Sequence, residues 1–557
     1  VTPNPTQAIQ LAVQHQQAGR LSEAQAGYRQ LLAEDPNNAD AWHLLGTVAL
    51  QAGQLDLAED FIRRAIAIKG EWPQACYHLG LVHQGKEQLD QAIAAYRRAT
   101  TLDPGLAAAH YNLGFCLQAA GYRDKAIAAY SQAITLSGDD PYSRANLAIA
   151  LQGAGRLDEA LATLRHAIAV KPDFAEAHKL LGMALRDAGL LEESIAALSQ
   201  AASLGPGDAD VLANLAAVLW DAGQIDRAIA VQRQVVDLKP DDPEAHWAYG
   251  SLLLLNGEFA TGWPQFEWRW RSRTLPWPRR NLRQPRWDGS DLAGRTIYLH
   301  AEKSFGDAIQ FIRYVPNLQR QGARVIVECQ PALRRLLSAN LSVEHWVSPG
   351  EPLPPCDVQC PLMSLPLASD MTTSTTSLQF PYLRAAPEWT TAWQRRMPRT
   401  NLLKVGLAWA GSPSEIRDRN RSLSLSQLAP LAQVTGVLFW SLQKGQAAAQ
   451  AHDPAAAVEM LDFGDSVTDF ADTAALIDQL DLVITVDTAV AHLAGAMGKP
   501  VWTLLPFVPD WRWGREGRTT PWYPTMRLVR QTKRGDWDDV VSRVAEMLNQ
   551  QIAALTS

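Results

Sequence analysis

One spacing, 34 residues, governs the first half of the chain. Alanine or another small residue stands at Ala24, Ala58, Ala92, Ala126, Ala160, Ser194, Ala228 and Gly262, each 34 positions after the last. A second column in the same register runs Gly46, Gly80, Gly114, Ala148, Gly182, Ala216, Gly250, and a third, Pro36, Gly70, Pro104, Gly138, Pro172, Pro206, Pro240, marks the breaks between units. Within each unit two amphipathic stretches flank a turn glycine, as at Gly53, Gly121, Gly155, Gly189, Gly223 and Gly257, so each unit reads as a helix pair. The small columns have a packing cause: where two helices cross closely, a larger side chain pushes their backbones apart. Tyr28, Ile62, Tyr96, Tyr130, Leu164 and Leu198 supply the knobs that fill the remaining space.

This pattern resembles the tetratricopeptide repeat, a helix-turn-helix unit with small residues and proline in this order. The resemblance covers residues 1–270 and implies an α-α superhelix whose concave groove binds peptides or other proteins. One column bears on that groove. Two positions before the small residue of the first helix stand Asn112, Asn146 and Asn214, with His78 one unit earlier. Asparagine amides at this place are either a ladder gripping an extended peptide backbone or solvated polar residues, and Leu44, Leu180 and Ala248 interrupt the series.

Composition narrows the rest. With 557 residues, 47% hydrophobic and 20% charged, the chain has room for several packed domains. A net charge of -7 argues against a general nucleic-acid binder, because phosphate neutralisation needs a basic surface. Five scattered cysteines give no disulfide framework, and Cys356 and Cys360 have no His/Cys partners for zinc, so neither metal nor cofactor is expected. No apolar run is long enough to span a bilayer, and the opening VTPNPTQAIQ lacks a signal-peptide pattern, so a cytoplasmic protein is expected.

The period ends near Trp263, and 15 of the 19 tryptophans fall at or after that residue. Trp263, Trp268, Trp270, Trp277 and Trp287 interleave with Arg269, Arg271, Arg273, Arg279, Arg280, Arg283 and Arg286, a connector at 271–292. Such interleaving can stack single-stranded nucleic acid; the preferred reading is that these tryptophans close the repeat stack and join it to the next domain, with arginines on their faces. From there short β-rich runs alternate with helical stretches: RTIYLH, RVIVEC and VEHWV, then KVGLAW, GVLFWSL, EMLDF, DLVITV and PVWTLL. Two such series mean α/β architecture with two Rossmann-like lobes, at 293–390 and 400–557, and a hinge at 386–403.

Ligands of open α/β sheets sit at the carboxyl ends of the strands. That rule selects Gly306 and Asp307 after the first strand, Gly411 and Ser412 with Arg417, Arg419 and Arg421 after KVGLAW, Asp487, Thr488, Ala489 and His492 after DLVITV, and Trp511, Arg512 and Trp513 after the last. The motifs GLAWAGS, DLVITVDTAVAHLAGAMGKPVWTLLP and WRW resemble the two-lobed, GT-B type glycosyltransferases related to bacterial heptosyltransferases, in the version fused behind tetratricopeptide repeats. By that resemblance Asp307 faces the acceptor as base, and Asp487, Thr488, Ala489 and His492 belong to the nucleotide-sugar side. EKSFGD departs from the glycine-bearing QGLGD-like loop of the family. Independently, amides at a helix start hold phosphate, and guanidiniums such as Arg419 or Arg421 neutralise a leaving diphosphate without metal. The expected activity is inverting transfer from a nucleotide-sugar to a protein hydroxyl presented by the repeats; a glycan acceptor and a non-catalytic scaffold are the alternatives. Asp487 and Asp307 also read as helix caps, and His492 as a packing histidine. Asp536 and Asp538 open the last helix, where acidic residues favour the dipole, and are not taken as a site.

Overall fold

The computed structural model describes residues 5–138, 140–272, 274, 282–302, 304–370, 380–415, 418–453 and 458–556. Arg273, Trp277, Arg279, Arg280 and Arg417, and most of the loop 369–377, lie outside the described residues. The chain divides into two compact units, Val1–Val218 and Leu219–Ser557.

The first unit is built of antiparallel helix pairs, from α1 (Pro5–Gln17) with α2 (Leu21–Glu34) to α11 (Ala175–Asp187) with α12 (Leu191–Leu204), ending in α13 (Ala209–Asp221). The sequence columns meet inside each pair. Ala24, Ala58, Ala92, Ala126, Ala160 and Ser194 are wholly buried, as are Tyr28, Ile62, Tyr96 and Tyr130. A Cβ placed on Gly46 would lie 2.6 Å from Ile62 Cγ1, on Gly80 2.5 Å from Tyr96 Cε1, and on Gly182 2.5 Å from Leu198 Cγ. Knob and glycine are therefore one contact repeated in the units that carry Gly46, Gly80, Gly114 and Gly182, which is why both recur at one period.

The turn column has one exception. Gly53, Gly121, Gly155 and Gly189 adopt positive φ between the two helices of their units, and Glu87 occupies the same place with φ 59°. A side chain there costs about 1–2 kcal/mol relative to right-handed backbone.

The second unit begins within the last turn of α13 and continues with α14 (Ile225–Leu238), α15 (Pro243–Leu255) and α16 (Phe259–Phe266), followed by a tight turn Glu267–Arg271. Two all-parallel sheets follow. The first holds β1 (Thr296–His300), β2 (Arg324–Glu328), β3 (His345–Val347) and β4 (Val358–Pro361) in the order β3-β2-β1-β4. The second holds β5 (Leu403–Ala408), β6 (Val437–Ser441), β7 (Leu461–Asp462), β8 (Leu482–Val486), β9 (Val501–Leu505) and β10 (Met526–Arg530) in the order β10-β9-β8-β5-β6-β7. The helices between them are α17 (Phe305–Phe311), α18 (Val315–Arg320), α19 (Pro331–Asn340), α20 (Leu365–Ala368), α21 (Pro387–Gln394), α22 (Asp418–Arg421), α23 (Phe470–Asp478), α24 (Ala489–Ala496) and α25 (Trp537–Thr556). Strands β1, β8 and β9 are buried on both faces, as parallel strands covered by helices must be. Along the chain, a repeat superhelix is followed by two Rossmann-like lobes of GT-B type.

Trp263 is wholly buried, its ring 5.2 Å from that of Trp511 and 6.2 Å from Phe311. Arg269 stacks on Phe266 and Trp270, and Arg271 on Trp268, so among the described residues these aromatics pack the last repeat helices against the lobes. Residues 382–384 bond to both lobes. The Tyr382 and Leu383 amides donate to Ala496 O of the second lobe, while the Arg384 backbone pairs with the Asn340 side chain of the first.

Glu87→Gly is expected to stabilise the array by about 1 kcal/mol, and Gly121→Ala, with φ +81°, to destabilise it by a similar amount. Chemical denaturation of the two variants beside the parent checks both signs.

Candidate functional site

The site assembles at the carboxyl ends of the second sheet. After β5, the Trp409 and Ala410 amides both donate to Gln443 Oε1 at 2.9 Å, while Gln443 Nε2 donates to Ala410 O and Lys444 O. This buried amide, directly after β6, ties two strand-end loops together. Gly411 follows, and its amide donates to Ser422 Oγ at 2.9 Å. A Cβ on Gly411 would lie 2.3 Å from Asp418 Oδ1 and 2.9 Å from Arg421 Nη2, so a side chain there would displace the carboxylate and guanidinium that pair over the loop. Arg421 Nε donates to Asp418 Oδ1 at 3.1 Å, and Arg421 Nη1 stands 3.9 Å from Asp487 Oδ2. Ser412 and Arg419 are exposed; Ser412 Oγ meets Ser414 Oγ, and Arg419 makes no hydrogen bond or ion pair among the described residues.

β8 leads into α24. Thr488, not Asp487, caps this helix: its Oγ1 accepts from the Val490 amide at 3.3 Å and shares a hydrogen bond with Thr485 Oγ1 at 3.1 Å. Asp487 is left buried and facing Arg421; burial pushes its carboxyl pKa up, against the pull of that guanidinium. Thr488 and Ala489 are half-buried at the helix start, where backbone amides have no intrahelical acceptor. His492 lies one turn further in. Its Nδ1 is 2.8 Å from Tyr523 OH, its ring stacks on Trp513 at 5.2 Å, and burial, then Arg512, Arg313 and Arg421, hold it well below the usual histidine range. His492 is thus held neutral, and a Cβ on Gly306 would lie 2.7 Å from its Cδ2.

The first lobe supplies Gly306 and Asp307. Ser304 caps α17 by accepting from the Gly306 amide at 3.2 Å, which leaves Asp307 in the first turn with its carboxylate free of capping. That carboxylate forms an ion pair with Arg512 Nη2 from the β9–β10 loop. Arg512 also donates to Asp510 Oδ1 at 2.7 Å and to Gln310 Oε1 at 3.0 Å, and lies over the Trp511 ring. Burial pushes Asp307 up to about 6; Arg512 opposes the rise, while Glu302 and Asp510 add to it. The structure therefore gathers Gly306, Asp307, Gly411, Arg421, Asp487, Thr488, Ala489 and His492 into one region and leaves Arg419 and Ser412 at its edge.

Sequence reasoning did not single out Gln443, Lys444 or Arg313. Gln443 and Lys444 follow a strand end, so the strand-end rule reaches them; Gln310 and Arg313 are buried polar residues three and six positions after Asp307. Arg313 donates to Trp522 O at 2.9 Å and Tyr382 OH at 2.8 Å, joining the lobes.

In the first unit, Asn112 Nδ2 donates to Tyr77 OH at 3.2 Å, Asn146 Nδ2 to Tyr111 OH at 2.8 Å, and Asn214 Nδ2 to Asp210 O at 2.8 Å. Asn146 Nδ2 also donates to Tyr142 O at 3.3 Å, so each amide spends at least one donor inside the array and keeps its oxygen for other partners. Among the described residues no group of three or more His, Cys, Asp or Glu side chains is placed to hold a metal ion. No described helix is long and apolar enough to cross a membrane.

A repeat array joined to a two-lobed α/β region of this kind defines a class, and comparison with known proteins places its parts. Residues 425–541 match the model of glycosyltransferase family 9 (heptosyltransferase). Residues 146–209 and 185–252 match tetratricopeptide repeats, and residues 9–125 match the middle TPR-like domain of cilia and flagella-associated protein 70. The chain thus joins tetratricopeptide repeats to a heptosyltransferase-like region. Protein FlbA of Caulobacter vibrioides (strain ATCC 19089 / CIP 103742 / CB 15) is 26% identical over 342 residues, 54% of this chain and 54% of FlbA, so the chain spans about half the length of that relative. Among solved structures, the MamA protein is 26% identical over 30% of this chain and 90% of its own, with a TM-score of 0.28. The C-terminal part of a TPR repeat-containing protein from Cytophaga hutchinsonii is 16% identical over 43% of this chain and 98% of its own, with a TM-score of 0.38.

The Asp307 carboxyl, raised from 3.8 to about 6, binds its proton more tightly folded than unfolded. Its ionisation therefore costs stability as pH rises through that window and costs nothing below it. Asp307→Asn keeps an oxygen for Arg512, and is expected to raise the unfolding free energy by on the order of 2 kcal/mol above the window and by little below it. Denaturation curves at both ends of the window test the sign.

Proposed function

We propose that the protein is a glycosyltransferase that moves a sugar from a nucleotide-sugar to a protein hydroxyl engaged by the repeats. The observation that carries this reading is the meeting of Asp307, from the first lobe, with Arg512, from the second, beside the start of α24. The family match over residues 425–541 supports the donor side. In this reading the Thr488 and Ala489 amides hold a donor phosphate through hydrogen bonds and the helix dipole, each donor worth about 1.5–3 kcal/mol to a charged acceptor. Gly411 lets the β5 loop approach closely, with Ser412 and Arg419 at its rim. Arg421, held by Asp418 and Asp487, and Arg512 neutralise the leaving phosphate as charge builds. Asp307 takes the proton of the acceptor hydroxyl, which attacks the anomeric carbon from the side opposite the leaving nucleotide and inverts it. A carboxyl raised to about 6 suits that task near neutral pH, being mostly ionised yet basic enough to accept a proton. Gly306 and neutral His492 keep the two lobes in contact at this point. The guanidiniums provide the charge that a metal provides in other transferases. The repeats, through the column Asn112, Asn146 and Asn214, bind the acceptor remote from the chemistry, and that binding energy positions the hydroxyl.

Nucleoside mono- and diphosphates are expected to raise the melting temperature in the presence of chelator. Asp307→Asn is expected to lower turnover by roughly 10² to 10⁴ with nucleotide affinity intact, and Asp487→Ala to weaken nucleotide binding by freeing Arg421. No nucleotide binding by calorimetry under chelator overturns the donor site; equal loss of nucleotide affinity in both variants overturns the division of roles.

Replacing Asn112, Asn146 and Asn214 together by Ala removes up to three hydrogen bonds of about 1 kcal/mol each, so labelling of lysate proteins is expected to fall on the order of a hundredfold while donor hydrolysis persists. Unchanged labelling assigns the repeats to assembly instead.

A further inference from the structure

The β9–β10 loop is held at both ends of its reach. Toward the site it carries Asp510, Trp511, Arg512 and Trp513. Behind them the chain wraps around one guanidinium: Arg530, at the end of β10, donates to Trp513 O, Gly514 O, Glu516 O and Gly517 O at 2.5, 3.0, 3.2 and 2.9 Å. Gly514 and Gly517 take positive φ, 66° and 87°, and make that wrap possible. On the far side the same loop grips the last repeat helices. Arg515 donates to both carboxylate oxygens of Asp226, at 2.7 and 3.0 Å, and to Asn256 Oδ1 at 2.6 Å. Phe507 lies so close to Gly223 that a Cβ there would be 2.7 Å from its Cε1.

An exposed ion pair adds little stability by itself. This one is bidentate, has a third acceptor on another helix, and stands three residues from Arg512, so its effect is on position. We propose that Arg515 is a positioning residue that clamps the β9–β10 loop to the last repeat helices through Asp226 and Asn256, and thereby holds Arg512 against Asp307. The end of the repeat array then sets the protonation of the base. This rests on the reading of Asp307 as that base. The charged groups acting on Asp307 are Arg512 and Asp510 from the loop, Glu302 beyond β1 and Arg269 from the turn after α16; the titratable neighbour His492, from α24, abuts Gly306. Of these, Arg512 does most to hold the carboxyl down, so loosening it lets Asp307 rise.

Two measurements on the full chain separate the clamp from the chemistry. Hydrogen exchange without ligand reads the loop: Arg515→Ala and Asp226→Asn are each expected to speed exchange across 511–516 about tenfold, with Arg515→Lys restoring part of the protection. The pH profile of hydrolysis of a panel of nucleotide-sugars reads the base: in Arg515→Ala the acid limb is expected to move up by about half a pH unit, with the melting temperature nearly unchanged. Unchanged exchange in both clamp variants overturns the proposal, and so does faster exchange with the acid limb unmoved. If the parent chain turns over no nucleotide-sugar, the transferase reading fails, and the exchange measurement alone decides whether the clamp exists.

Discussion

The second unit depends on one buried charge. Arg269 has no solvent exposure, and its guanidinium is shared by Glu302 at 3.0 Å, Glu267 at 2.6 Å and Ser364 Oγ at 3.0 Å. Burial works against its charge, and the two carboxylates overcome that and hold it ionised. A buried pair of this kind is not a large source of net stability, but losing one partner strands a charge and costs about 3–5 kcal/mol. Its value is geometric. Glu267 and Arg269 end the repeat helices, Glu302 begins the loop after β1, and Ser364 precedes α20, so three separate stretches of chain must arrive together. Gln330 Nε2 then donates to Glu302 O at 3.1 Å, holding the loop that delivers Ser304 and α17. Asp307 is placed by this chain of contacts, and the Glu302 charge also helps to raise it.

The two lobes meet through contacts that leave little freedom near α24. Residues 382–384 bond to both lobes, Arg313 reaches Trp522 O and Tyr382, and Arg335 of α19 pairs with Asp469 and Asp472 at 2.7 and 2.6 Å. Gly306 lies against His492 at a distance no side chain allows. His492 has to be neutral there, because an imidazolium would face Arg512, Arg313 and Arg421 at once. Packing and electrostatics thus demand the same state of the ring.

The repeat array was legible in the sequence because its constraint recurs at fixed positions: the same helix crossing needs the same small residue and the same knob in every unit. Strand β10 was not among those expected. MRLVR carries Arg527 on its exposed face, so it does not read as the continuous apolar run of a buried parallel strand. The start of α24 was legible from a strand followed by a polar cap, although the capping oxygen belongs to Thr488. The partner of Asp307 was not, since Arg512 lies 205 residues away and no local spacing records a pairing across two lobes. Nor does spacing distinguish Arg419 from Arg421; the one-turn helix α22 and the Asp418 carboxylate turn only the second inward.

Gln443 carries a consequence for how this protein ages. Its oxygen accepts from two backbone amides and its nitrogen donates to two backbone carbonyls, so one terminal amide, in one orientation, closes four bonds inside the lobe. Hydrolysis of that amide to glutamate is nearly isosteric, yet it would remove both donors and set a negative charge against the carbonyls of Ala410 and Lys444. Damage of a single atom type there would release the β5 and β6 loops together, with the rest of the fold intact.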